Sequence, residues 1–207
     1  MTTAGVNSML LLPEHQTGVR METWPRRHRI DVHEYHRMAE VGLLAPDARV
    51  ELIEGEIIDM APIGGSHQST VDFLTRQFIL TLVDKAIVRT QGSVRLGLFS
   101  EPQPDLLLLK PRDDFYRSEF AQGEDVLLAI EVSDSTLRYD RKVKMPLFAR
   151  HGIPEAWIVD LQNGSLQVHR SPAEGAYQDV ATLARPGSMS LAALPGVSID
   201  LSALHLD

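Results

Sequence analysis

Two short segments of this chain carry almost no polar residue, and they limit the possible folds more than anything else in it. Asp105 to Leu109 contains four consecutive leucines, and Val126 to Val132 is apolar except for Glu131. A strand with one wet face alternates apolar and polar residues, whereas a continuous apolar strand is buried on both faces. These two segments are therefore predicted to lie in the middle of a sheet that is covered on both sides. Segments with a 3.6-residue period are available to cover it. Asp31 followed by Glu34, with Ile30 before them, predicts a capping box and staple opening a helix that ends at Gly42. Val71, Leu74, Phe78, Leu82 and Ala86 fall on one face of a helix of about five turns. Tyr139 to His151 predicts a third helix closed by Gly152, in which Pro146 either occupies the first turn or causes a kink.

The remaining strands are predicted from alternation and turn residues. Arg49 to Ile53 and Glu56 to Met60 form a hairpin about Glu54-Gly55. Ile87 to Thr90, Val94 to Leu98 and Ala156 to Val159 follow, with strand pieces near 166–170, 178–183 and 197–201. The expectation is an α/β (α+β) fold, a mixed β-sheet flanked by helices. One domain over residues 30–207 with a β-rich C-terminal edge accounts for the length of 207 residues, and residues 1–29 form an aperiodic arm ending in Arg26, Arg27, His28 and Arg29.

Composition excludes several function classes. Without cysteine there is no disulfide, thiol nucleophile or Cys-ligated zinc, so any metal rests on oxygen or imidazole. A net charge of −8 argues against a non-specific nucleic-acid coat protein. No apolar run approaches the ~20 residues of a membrane span, and the N-terminus lacks the pattern of a secretory signal, so a cytoplasmic protein is expected. Gly64-Gly65 fits neither the P-loop nor the dinucleotide spacing, so no nucleotide cofactor is expected.

The chemistry is concentrated at the ends of the two apolar strands. Asp105 opens one, after Pro104, and Glu131 lies near the end of the other. On adjacent strands their carboxylates converge. Such a pair either shares a proton or is held ionised by a divalent cation, and hard oxygen ligands favour Mg²⁺ or Mn²⁺. Downstream, residues 138–150 carry Arg138, Arg141, Lys142, Lys144 and Arg150 against Asp140, a local charge of 5 − 1 = +4. An ammonium there suits the charge that grows on an attacked phosphate. Lys144 could also simply pair with Asp140 at i,i+4.

The motifs Glu51-Leu-Ile-Glu-Gly-Glu56, Ser66-His67-Gln68, Gln103-Pro104-Asp105, Glu131-Val-Ser-Asp-Ser-Thr136, Asp140, Lys144 and Gly152-Ile-Pro-Glu-Ala-Trp-Ile-Val-Asp160 occur in this order. Over about residues 30–205 the chain resembles the Uma-two family, restriction-endonuclease-like proteins of the PD-(D/E)XK nuclease superfamily. That resemblance implies a metal held by Asp105 and Glu131, with the carbonyl of Val132 as a further ligand and Glu51 completing the site. It also implies that the superfamily lysine, absent at Ser133, has moved to Lys144 on the following helix. His67, Gln103 and Ser133 are candidate pocket residues. The implied activity is Mg²⁺- or Mn²⁺-dependent hydrolysis of DNA phosphodiester bonds, with a homodimer supplying basic surface. A catalytically inactive DNA-binding or protein-interaction module on the same fold is the alternative. A metal-free two-carboxylate glycosidase is a third reading, weakened by an aromatic content of only 6%.

Overall fold

A computed structural model of the chain describes Met1 and residues 27–206. Most of the expected arm therefore lies outside the described residues. Its last part is tied to the domain: Arg29 donates to the Glu54 carbonyl and stacks over Phe99, and Arg27 lies 3.6 Å from Glu56.

The first helix, α1 (Val32–Glu40), is opened by the predicted box. Asp31 accepts from the amides of His33 and Glu34, and the Glu34 side chain accepts from the Asp31 amide. The hairpin of β1 (Val50–Ile53) and β2 (Glu56–Asp59) turns at Glu54 (φ 50°) and Gly55 (φ 87°), both left-handed as a type I′ turn requires. Glycine is needed at the second position for another reason as well, because a Cβ there would lie 2.6 Å from the Cβ of Arg29.

A six-stranded sheet forms the body, in the order β3 (Ile87–Thr90), β4 (Leu106–Leu109), β5 (Val126–Ser133), β6 (Glu155–Asp160), β7 (Ser165–Ala173), β8 (Ala176–Leu183). All neighbours are antiparallel except β5 and β6, which are parallel. The two all-apolar segments are adjacent interior strands, as their lack of alternation requires. One sheet face packs against α2 (Gly65–Thr81) and a small antiparallel pair, β9 (Ser188–Leu191) and β10 (Leu194–Asp200). Leu106, Leu108, Ile130 and Trp157 meet Leu74 and Phe78 there. On the opposite face Leu107, Leu109, Ala129 and Ile158 meet Met145, Leu147 and Phe148. No described helix is long and apolar enough to cross a membrane.

Three elements differ from expectation. The α2 helix stops at Thr81 instead of continuing to Ala86, because Asp84 takes a left-handed conformation (φ 62°) that a helix cannot accommodate. Val94 to Leu98 is no strand: Leu96 bonds back to the Ser100 carbonyl around Gly97 (φ 73°), so the chain reverses before a ladder can form. The third predicted helix is divided into α3 (Leu137–Tyr139), a π-helical turn (Asp140–Lys144) and α4 (Met145–Arg150), with Pro146 at the start of α4. Proline has no amide hydrogen for the carbonyl four residues back, and its ring crowds that carbonyl. The amide of Met145 accordingly bonds five residues back, to Asp140.

Candidate active site

Strand pairing brings the two predicted carboxylates together. In the β4–β5 register Leu106 faces Ile130, so Asp105, one residue earlier, comes opposite Glu131 on the same sheet face. The amide of Val132 donates to Asp105 Oδ2 at 2.8 Å, and His67 Nε2 is 3.0 Å from the same oxygen. Asp105 and Glu131 are 7% and 4% exposed.

The π-helical turn delivers the cation. Lys144, 4% exposed, places Nζ 3.0 Å from Glu131 Oε1 and 3.0 Å from Glu51 Oε2. Glu51 comes from the β1–β2 hairpin, whose strand β1 is buried along its whole length, and its Oε2 also accepts from the amide of Gln103 at 3.1 Å. Asp140 is not the hydrogen-bonded partner of Lys144 that α-helical i,i+4 spacing suggests. It accepts from the hydroxyls of Ser133 and Thr136, both at 2.6 Å, and so fastens the start of the π turn to the end of β5.

Burial is the largest single influence on each of Glu131, Asp140 and Lys144. Desolvation pushes the Glu131 carboxyl well above its ordinary range; Lys144 opposes this, while Asp140, Asp105 and Glu51 add to it. For Lys144, desolvation acts downward but is outweighed by Glu131, Glu51 and Asp140, so the ammonium is held above its ordinary value. Asp140 is raised chiefly by desolvation, against the pull of Lys144 and its two hydroxyl donors.

The donor chemistry fits a hard divalent cation, because the carboxylates of Glu51, Asp105 and Glu131 line one cavity. Glu131 Oε1 is held by the Lys144 ammonium at 3.0 Å. Among the described residues no three His, Asp or Glu side chains form a ready-made cage. The carboxylates of Glu51 and Glu131 close on the Lys144 ammonium instead.

These groups lie on the floor of a cavity of about 520 Å³, whose lining includes Glu51, His67, Asp105, Glu131, Val132 and Lys144. Gln103 and Ser133 do not line it. Gln103 braces Glu51 through its amide and Val50 through its side chain, and Ser133 turns to Asp140. Sequence reasoning missed Tyr139, Thr136, Asp134 and the stretch from Ile58 to Gly64, all of which also form the cavity wall. Thr136, four residues before Asp140, carried a faint signal as a side-chain donor entering a helix. The wall from 58 to 64, the end of β2 and the loop after it, carried none, since such residues acquire a role only through what they face.

A mixed sheet flanked by helices, with acids at the ends of two central strands and a lysine on the next helical segment, defines a restriction-endonuclease-like protein. The family Uma2, described as "Putative restriction endonuclease", matches residues 32–202, and the chain belongs to that family. Among solved structures, one described as a "putative nuclease belonging to DUF820" from Anabaena variabilis is similar in fold. It has a TM-score of 0.61 at 18% identity, over 85% of this chain and 93% of that one. No curated protein matches the chain.

Proposed function

We propose that the protein is a metal-dependent nuclease that hydrolyses DNA phosphodiester bonds, with Asp105, Glu131 and the Val132 carbonyl holding Mg²⁺ or Mn²⁺. The observation that carries this reading is the convergence of Asp105, Glu131, Glu51 and Lys144, from four separate segments, on one buried floor. When bound, the cation would supply charge neutralisation at the phosphate and a lower pKa for water. The chain's own residues account for the rest. Lys144 stays protonated and orients the attacking water while stabilising charge on the phosphate. Glu51 holds that ammonium, and His67 and the Val132 amide fix the Asp105 carboxylate. Water adds to phosphorus and gives up a proton to solvent, the bond to the 3′ oxygen breaks, and that oxygen takes a proton from solvent, leaving a 5′ phosphate and a 3′ hydroxyl.

Plasmid cleavage in Mg²⁺ or Mn²⁺, against an EDTA control, tests the reading. Activity is expected for the native chain and a loss of about 10²–10³ in rate for Glu131→Gln with the fold intact. Wild-type cleavage by Glu131→Gln refutes it. The inactive-module reading draws support from the satisfied Glu51–Lys144–Glu131 cluster. Calorimetric Mn²⁺ titration separates the two: binding lost in Asp105→Ala supports the enzyme, and no binding supports the module. Because the net charge of −8 opposes a polyanion, we also propose a homodimer that sets two copies of segment 138–150 beside the nucleic acid. A strict monomer in solution scattering, without DNA affinity at low salt, counts against that assembly.

A further inference from the structure

The acids of the site are not on an open surface. Glu51, Asp105 and Glu131 are 2%, 7% and 4% exposed and line the cavity. One wall is formed by residues 58–63, in which Ile58, Met60, Ala61 and Ile63 are apolar and half-buried, Pro62 is exposed, and the exposed acid Asp59 is the one charged residue. Two hydrogen bonds to Arg49 hold this wall in place: the Met60 amide donates to the Arg49 carbonyl, and the Arg49 guanidinium donates to the Ala61 carbonyl, both at 2.9 Å. Tyr139 and the turn at 134–136 stand on another side. A volume of about 520 Å³ is that of a small-ligand site.

From this shape we infer that the substrate is unpaired DNA: a single strand, or a frayed or extruded nucleotide, enters the cavity and lays its base against the 58–63 wall. This deepens the nuclease reading above and rests on it. In a duplex the phosphates are carried on a stacked, paired rod, and bringing one down to buried carboxylates requires a neighbouring nucleotide to leave the stack. An unpaired strand meets no such cost. The apolar wall accepts the face of any base, whereas the carboxylates and Lys144 at the floor deal with its phosphate.

The test uses one labelled oligonucleotide sequence, as a single strand and as a blunt duplex, with the full chain. Binding is read by fluorescence anisotropy and cleavage is read separately in Mn²⁺. The expected result is affinity about tenfold or more higher for the single strand, the scale of one buried base, and the same order of preference in cleavage. Ala61→Trp, which fills the cavity from its wall while keeping the backbone bond to Arg49, is expected to remove that preference. Ile63→Trp serves the same purpose if Ala61→Trp fails to fold. Equal affinity for the two forms, or a preference unchanged in a folded wall variant, overturns the inference. Absence of cleavage on either form overturns the nuclease reading instead, and the anisotropy result still decides the cavity's ligand.

Discussion

Replacing Lys144 by methionine removes the one ammonium that lies 3.0 Å from both Glu51 and Glu131 while leaving the side-chain volume nearly unchanged. Both carboxylates are almost fully buried, so the variant strands charge without a counter-ion. Breaking a buried pair in this way costs about 3–5 kcal/mol, a large share of the roughly 5–15 kcal/mol that stabilises a domain. With a urea m-value of about 2 kcal/mol per M, the denaturation midpoint should fall by about 2 M near neutral pH. The loss should depend on pH in a defined direction. Glu131 already has a folded-state pKa above its unfolded value, and removing Lys144 takes away the main influence holding it down. A group shifted this way contributes stability that is complete below the unfolded pKa and lost as pH rises through the folded one. The variant should therefore regain stability progressively as pH falls through the raised Glu131 pKa toward the ordinary glutamate range, and be weakest above that raised value. Urea denaturation in EDTA across that range is the assay. A cost below about 1 kcal/mol near neutral pH, with no recovery in acid, would refute the view that the Lys144 ammonium neutralises the floor.

Three further substitutions probe how the site is supported. Ser133→Ala removes a buried 2.6 Å donor to Asp140 and should cost about 1–3 kcal/mol in urea denaturation. Cleavage should also slow, because the π turn loses its anchor on β5. Pro146→Ala restores an amide able to bond four residues back, so the π turn should relax to α-helix and rotate Lys144 off the floor. Cleavage should fall about tenfold or more without loss of thermal midpoint, and equal activity would show that the π turn has no part in placing the lysine. Gly55→Ala forces a left-handed alanine against Arg29 and should cost at least about 2 kcal/mol in the same denaturation assay. Metal affinity by Mn²⁺ calorimetry should fall only as far as Glu51 is displaced.

The central layering was legible in the chain because it depends on composition along single segments. Leu106 to Leu109 and Val126 to Val132 cannot tolerate a wet face, whatever the rest of the fold does, and the Asp31–Glu34 box and the Glu54-Gly55 turn are local geometry. Asp105 and Glu131 were visible for the same reason: an acid at the end of an apolar strand is costly to bury unless something uses it. What the tertiary structure alone decided are relations between segments distant in sequence. By its local pattern Glu51 reads as an ordinary hairpin acid, and only the family resemblance marks it for the site; its burial on β1 beside Lys144 is a tertiary fact. The i,i+4 spacing of Asp140 and Lys144 suggests a simple pair, but Pro146 changes the helical period between them and sends their side chains to different partners. The depth of the cavity and its apolar wall over 58–63 arise where a loop pinned by Arg49 faces the sheet end. No single-segment pattern records such a meeting, because burial of that kind depends on which surfaces the fold brings together and not on the residues of either one.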